Sequence, residues 1–350
     1  MSLLDAWYDK SQRTRFWLWP LVPVSLAHAW LGRLRRERLQ RLRKDNATLP
    51  PVIVVGNITL GGTGKTPLII ALARLLQAQG LRPGIVSRGY GGSAAPASVT
   101  DMSRADEVGD EAVLIHRLTG CPVRVDPQRL RAVEALCAES LCDVILSDDG
   151  LQHYAMPRAM EIVVIDGVRL LGNGHCLPAG PLREPPARLR EVDWVVFNGG
   201  SGPGQEALAL QAGLESDRPA RSTMHLEPSC WVNLATGERV ALTALPMRNG
   251  GVLHALAGIG NPQRFFETVR ALGYRPLCHP FPDHFRFAAA DLQFAAGATL
   301  VMTSKDAVKC QGFAGTHCWY LEVEARLTSE FTTSLLAKVR ALVEARAARP

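Results

Sequence analysis

Short, almost wholly apolar runs that end in glycine, aspartate or asparagine alternate with longer helix-forming stretches over most of the chain. The runs within residues 52–55, 121–125, 142–147, 161–166, 194–197, 251–257, 300–303 and 318–323 predict strands, residues 82–92 a short strand breaking into a glycine-rich loop, and residues 68–76, 110–118 and 128–140 helices. Strands that are apolar throughout, rather than on alternate positions, belong to a parallel sheet covered on both faces. Strands taking turns with helices point the same way, so the expected class is α/β. Residues 199–219, rich in Gly, Ser and Pro, are expected to be the least structured part, followed by short strands and turns to about residue 250. The expected organisation is an N-terminal segment 1–45, a larger core 46–220 and a smaller α/β domain 221–350.

The first of these strands carries the most specific chemistry. Val52–Val55 runs into Gly56-Asn-Ile-Thr-Leu-Gly-Gly-Thr-Gly-Lys-Thr66 and then a helix. Glycines in such a loop let backbone N–H groups converge on phosphate oxygens, a lysine adds charge at the β/γ-phosphates, and a threonine offers its hydroxyl to Mg²⁺. The loop is a variant, because Thr59 stands at the first glycine position of G-x-x-x-x-G-K-[ST] and the extra glycines are Gly61 and Gly62. Thr59, Gly61, Gly62, Thr63, Gly64, Lys65 and Thr66 are the candidate nucleotide-binding residues, and the core is expected to be a three-layer α/β/α parallel sheet of the P-loop NTPase type.

With 350 residues, 47% of them hydrophobic, the chain can bury a large core, which excludes a disordered or fibrous class. Its eight cysteines form no C-x-x-C pair and no zinc spacing, a pattern that suits a reducing compartment. The net charge of +6 is mostly local. Arg33, Arg35, Arg36, Arg38, Arg41, Arg43 and Lys44 face Glu37 alone, directly after a tryptophan-rich apolar run over residues 16–32. That run is shorter than the ~20 apolar residues a span needs and carries Pro20, Pro23 and His28, so an amphipathic helix lying on a membrane surface is expected. No nucleic-acid recognition module accompanies the basic run. A signal peptide is not expected, since the basic residues follow the apolar run.

Further candidates lie at strand and helix ends. Asp148 and Asp149 close an apolar strand downstream of the P-loop, where such enzymes keep a metal-contacting carboxylate. Either could be the direct ligand; capping of the next turn is the structural alternative. Gln152 and His153 continue that loop. Arg88 sits in a glycine-rich loop, Ser87-Arg-Gly-Tyr-Gly-Gly92, of the kind that covers ligands. Asp110 and Glu111 open a helix, where capping alone explains carboxylates, and Asp283-His284 form a polar pair in an aromatic turn. Phosphoryl transfer to a sugar hydroxyl nonetheless needs a base near the acceptor.

Taken together, Val55–Pro67, Ser87–Gly91, Val108–Glu111, Leu146–His153, Gly180–Glu184, Ala257–Pro262, Phe281–His284 and Thr303–Lys309 resemble the tetraacyldisaccharide 4′-kinase family, the lipid A 4′-kinases of Gram-negative bacteria. The resemblance runs nearly end to end. It implies transfer of the γ-phosphate of ATP to the 4′-hydroxyl of a tetraacylated glucosamine disaccharide 1-phosphate, at the cytoplasmic face of the inner membrane, with no protein partner. It implies that Lys65 and Thr66 hold phosphates and Mg²⁺ with Asp148 and Asp149. Asp110 and His284 would form the catalytic pair, with Glu111, Gln152, Arg183 and Arg88 near the substrate. His284 is expected on the smaller domain and the P-loop on the larger, so that domain closure would assemble the site. This chain departs from the pattern at Ser304, where Glu is expected, at Phe285 and at Ala112. The rival class is a membrane-recruited ATPase switch, whose signature lysine before Gly-Gly is here Leu60.

Overall fold

A computed structural model describes residues 3–9, 11, 17–42, 48–93, 95–200, 202–214, 219–248 and 251–348. Phe16, Arg43 and Lys44 of the N-terminal reading lie outside them. In chain order the structure begins with α1 (Leu3–Tyr8), α2 (Val22–Arg41), β1 (Val52–Gly56), α3 (Lys65–Ala78), β2 (Pro83–Ser87), β3 (Ala97–Val99), α4 (Ala105–Val108) and α5 (Asp110–Thr119). It continues through β4 (Val123–Val125), α6 (Arg129–Glu139), β5 (Val144–Asp148), β6 (Met160–Asp166), β7 (Trp194–Asn198), α7 (Gly202–Ala212), β8 (Ala220–Asn233) and β9 (Arg239–Val240). The remaining elements are β10 (Leu253–Ala257), α8 (Pro262–Ala271), β11 (Leu277–Pro280), β12 (Thr299–Thr303), α9 (Ser304–Cys310), β13 (Cys318–Leu327) and α10 (Ser329–Ala347).

The chain divides into two compact units that are not continuous in sequence. The first comprises residues 1–87, 128–225 and 326–350, the second 88–127 and 226–325. The boundary drawn from composition at about residue 220 falls at the start of β8. Residues 88–127, counted with the core at that stage, belong to the second unit.

In the first unit the strand order is β8-β7-β6-β1-β5-β2, parallel throughout. Strands β1, β2, β5 and β7 are buried at every position, as uniformly apolar runs require. The order reverses at β1, which has β5 on one side and β6 on the other. A parallel sheet opens a crevice for ligands at the carboxyl ends of its strands at such a reversal. The core beneath it is built from Val54, Ile58, Ile145, Val163, Phe197 and their neighbours. Helix α10 also packs here: Phe331 meets Trp194 edge-on at 4.8 Å, and Lys338 pairs with Asp193.

Two stretches differ from the sequence expectation. Residues 202–212 form α7 within the supposedly unstructured segment, because the helix formers Gln205–Ala212 outweigh the Gly-Pro-Gly at its start. Residues 220–233 form one long strand in place of short strands and turns, with Pro228 inside it.

The N-terminal helix α2 is divided end to end more than face to face. Val24, Leu26, Trp30 and Leu31 are exposed in its first half, as are Arg33, Arg35, Arg38 and Arg41 in its second. Ser25 is its buried residue and donates to the Cys176 carbonyl at 2.6 Å. Arg36 turns inward, its guanidinium 5.2 Å above the Tyr154 ring and paired with Glu191. Among the described residues no helix is long and apolar enough to cross a membrane.

The second unit carries parallel strands in the order β11-β10-β12-β13, with β13 beside β8, and β9 antiparallel to β8. Strands β3 and β4 pair antiparallel. Helix α8 buries Phe265, Phe266 and Val269, and starts at Pro262 after Asn261, whose side chain accepts from the Arg264 N–H. All eight cysteines are free thiols; Cys121, Cys142, Cys176, Cys310 and Cys318 are buried and the other three half-buried.

Candidate active site

The first unit holds the nucleotide loop. It leaves β1 at Gly56 and enters α3 at Lys65, with Gly64 at the N-cap in a left-handed conformation (φ +99°). A Cβ on Gly64 would lie 2.5 Å from Asn198 Nδ2, so glycine is required by both backbone and space. Asn198, at the end of β7, donates to the Thr63 carbonyl at 3.0 Å and fixes the loop from behind. Thr59 is buried and bridged to Leu182, while Leu60 N–H donates to Pro181 O and Arg183 N–H to Ile58 O. The Gly180–Glu184 segment is thus stitched onto the loop by an isolated antiparallel bridge and two backbone hydrogen bonds. Gly61 and Gly62 face open space, and the buried Thr63 hydroxyl has no partner among the described residues, which leaves room and a hydrogen-bonding group for phosphate oxygens.

Asp148 ends β5 fully buried and accepts from the Ser87 hydroxyl at 3.2 Å, while Arg129 donates to its carbonyl at 3.0 Å. Asp149 follows with φ +46°. Its carboxylate meets Arg183 at 2.9 Å and Lys65 at 3.6 Å. Burial opposes the charge of Asp149, yet Lys65 and Arg183 hold its carboxyl below the usual range. Thr66 in the first turn of α3 and Asp148 and Asp149 at the end of β5 carry hard oxygen donors, the kind that suits Mg²⁺.

Gln152 donates to the Asn57 carbonyl at 3.2 Å and to Glu184 at 2.8 Å. Glu184 also accepts from the Tyr154 hydroxyl, whose phenol is pushed up by burial and by Glu184 itself and so keeps its proton. Arg188 and Arg158 stack with Arg36 around the same Tyr154 ring, and both pair with Glu161. A chain of contacts therefore leads within this unit from α2 to the loop after β1.

The second unit holds the other candidate residues. Gly109 precedes α5 with φ +91°, and a Cβ there would strike the Tyr90 carbonyl at 2.7 Å. This close approach seats the Gly89–Gly92 loop against the start of α5. Asp110, the first residue of α5, is buried; its Oδ1 accepts from Glu111 N–H at 2.9 Å and its Oδ2 lies 3.2 Å from His284 Nδ1. His284 sits at φ +57° in the turn after Phe281, with the Tyr90 ring edge-on at 4.7 Å. Burial disfavours the Asp110 carboxylate, but the His284 hydrogen bond and the charges of Lys305 and Lys309 hold its pKa down. The same hydrogen bond, against the pull of burial, raises His284 above the ordinary imidazole value. Arg88 is exposed where the glycine loop begins.

Lys305 was quoted within a motif at the sequence level but given no part. At the first turn of α9 its ammonium meets Glu111 at 2.5 Å. Burial works against its charge, yet Glu111 and Asp110 raise its pKa. The rest of that motif is architectural. Thr303 caps α9, and fully buried Asp306 accepts from Thr303 Oγ1 at 2.7 Å and Gly258 N–H at 3.0 Å, and pairs with Lys309 at 2.7 Å. Asn198, Glu184 and Lys305 are thus site-lining residues that sequence reasoning passed over, although Glu184 and Lys305 lay inside quoted motifs.

The family model described as Tetraacyldisaccharide-1-P 4'-kinase matches residues 17–340. A tetraacyldisaccharide 4'-kinase of Pseudomonas putida is 53% identical, covering 94% of this chain and 93% of the relative. One from Azotobacter vinelandii is 49% identical, covering 92% of each. Among solved structures, LpxK from Aquifex aeolicus in complex with ATP superposes with a TM-score of 0.76 at 26% identity, covering 93% of this chain and 99% of that one. The ATPase-switch alternative is not favoured by any of these. This chain belongs to the tetraacyldisaccharide-1-P 4'-kinase family.

Proposed function

We propose that this protein transfers the γ-phosphate of ATP to the 4′-hydroxyl of a tetraacylated glucosamine disaccharide 1-phosphate, giving the 4′-phosphorylated lipid and ADP. The observation that carries the reading is that a chain of this family holds both a lysine-bearing phosphate loop and an Asp–His pair at 3.2 Å, its aspartate buried. The first unit serves the nucleotide. Loop amides, Lys65 and the Thr63 hydroxyl bind phosphate oxygens, with Thr59, Gly61, Gly62 and Gly64 shaping the loop. Mg²⁺, held by Thr66 with Asp148 and Asp149, supplies charge neutralisation at the β/γ-oxygens when bound. Arg183 keeps the Asp149 carboxylate oriented and ionised.

The second unit serves the acceptor. Asp110 accepts the proton of the attacking hydroxyl as the new O–P bond forms and the bond to the ADP oxygen breaks. His284 holds the carboxylate through Nδ1. Glu111, Gln152 and Arg88 are assigned to the substrate environment, as the family resemblance implies.

The decisive measurement uses purified protein in detergent with γ-labelled ATP, Mg²⁺ and the disaccharide 1-phosphate. Label is expected at the 4′ position; ATP hydrolysis without label in lipid would overturn the reading.

We further infer that α2 and the preceding turn rest on the cytoplasmic face of the inner membrane. Trp17, Trp19, Leu26 and Trp30 are exposed, and Arg33, Arg35, Arg38 and Arg41 follow them. Each basic residue near an anionic leaflet contributes about 1 kcal/mol. Binding to vesicles of anionic phospholipid should therefore weaken by about tenfold or more when Arg35 and Arg38 are both replaced by glutamine. Equal binding of parent and variant would count against an electrostatic anchor.

A further inference from the structure

We propose that Lys305 is a positioning residue for the acceptor side: its ammonium clamps Glu111 and cancels that carboxylate's field at Asp110 and His284. The inference rests on the reading above, in which Asp110 takes the hydroxyl proton.

The groups around the pair set an electrostatic problem. Asp110 and Glu111 stand next to each other at the start of α5, and Asp283 adds a third carboxylate, 3.8 Å from His284 Nε2. Against them α9 brings Lys305 and Lys309, and Lys309 is already paired with Asp306. Lys305 therefore decides whether this surface is strongly anionic. An uncompensated cluster of carboxylates would resist ionisation of the base and would repel a phosphorylated substrate. With Lys305 at 2.5 Å from Glu111, one of the three is neutralised and its side chain is held in a single direction. The backbone supports the placement. Thr303 and Asp306 cap α9 reciprocally, and Asp306 is tied to Gly258, so the first turn that carries Lys305 is fixed at its root.

A tether with no electrostatic part would also explain a salt bridge between two helices, so the test must separate the two. Lys305→Met keeps the length and removes the charge; Lys305→Arg keeps the charge. In the methionine variant kcat should fall about tenfold or more, with the KM for ATP little changed. The NMR titration of His284 should move up by about 0.5–1 pH unit, since a positive neighbour has been lost. The arginine variant should restore both. The double variant Lys305→Met/Glu111→Gln, in which both charges are gone, should return the His284 midpoint toward that of the parent.

A His284 midpoint unmoved in folded Lys305→Met, or moved equally in the double variant, overturns the proposal. If the methionine variant does not fold, the arginine and double variants decide it: both are then expected to fold with a near-parent midpoint, and a displaced midpoint in either overturns it. The titration is independent of turnover. Absence of lipid phosphorylation by the parent protein would sink the functional reading while the midpoints still test the clamp.

Discussion

Asp110→Ala should lower kcat for the lipid acceptor by about 10²–10⁴-fold, the range lost when a positioned general base is removed. ATP binding should stay close to that of the parent, because Asp110 lies in the unit that does not carry the phosphate loop. The pH dependence follows from the sign of its shift. Asp110 is held below the usual carboxylate pKa by the His284 hydrogen bond and by Lys305, so it is ionised throughout mildly acidic conditions. The acid limb of kcat/KM set by this group should therefore lie below the ordinary aspartate range. His284 is raised by the same bond, so its NMR midpoint should drop in the alanine variant. A drop in turnover with that midpoint unchanged would mean that the pair does not persist in solution.

Lys65→Ala should cost about 10²–10³-fold in kcat/KM, the scale of one well-placed donor to a phosphoryl group in transfer. The effect here is compound. Lys65 also faces Asp149 at 3.6 Å, so its removal takes away one of the two cations paired with that half-buried carboxylate. The KM for ATP should rise as kcat falls, since the lysine contacts phosphate in both the bound and the transition state. Lys65→Arg should rescue poorly, because a planar guanidinium does not reproduce a compact ammonium. Parent-like turnover in Lys65→Ala would remove the loop from the mechanism.

Much of the sheet was legible because parallel strands buried on both faces are written as continuous apolar runs; β1, β5, β6 and β7 fall within a residue or two of the runs that predict them. The phosphate loop was legible because its chemistry is local, with strand, glycines, lysine and helix within one stretch. What could not be read was anything decided by distant partners. Asp110 and His284 are a helix-start carboxylate and a lone histidine when taken singly, and only the family resemblance paired them. Residues 88–127 read as a continuation of the core because nothing in their composition marks the crossing into the second unit at Arg88. Helix α7 was hidden by the Gly-Pro-Gly that opens it, and α8 could have been found from Asn261-Pro262, a cap followed by proline at the first turn. The inward turn of Arg36 was invisible in a run of arginines that otherwise face solvent.

The place of α10 bears on how the protein is made. The unit that carries the phosphate loop has its P-loop strand and helix early in the chain, yet part of its packing comes from residues 329–347, where Phe331 lies against Trp194, Lys338 pairs with Asp193 and Arg340 reaches Gln79. During synthesis the sheet that carries the phosphate loop must therefore wait, with one flank uncovered, while the second unit is translated between its pieces. The second unit's larger segment, residues 226–325, emerges as one stretch before that wait ends. A premature stop shortly before residue 329 would spare every residue assigned to chemistry and still strike the unit that holds ATP.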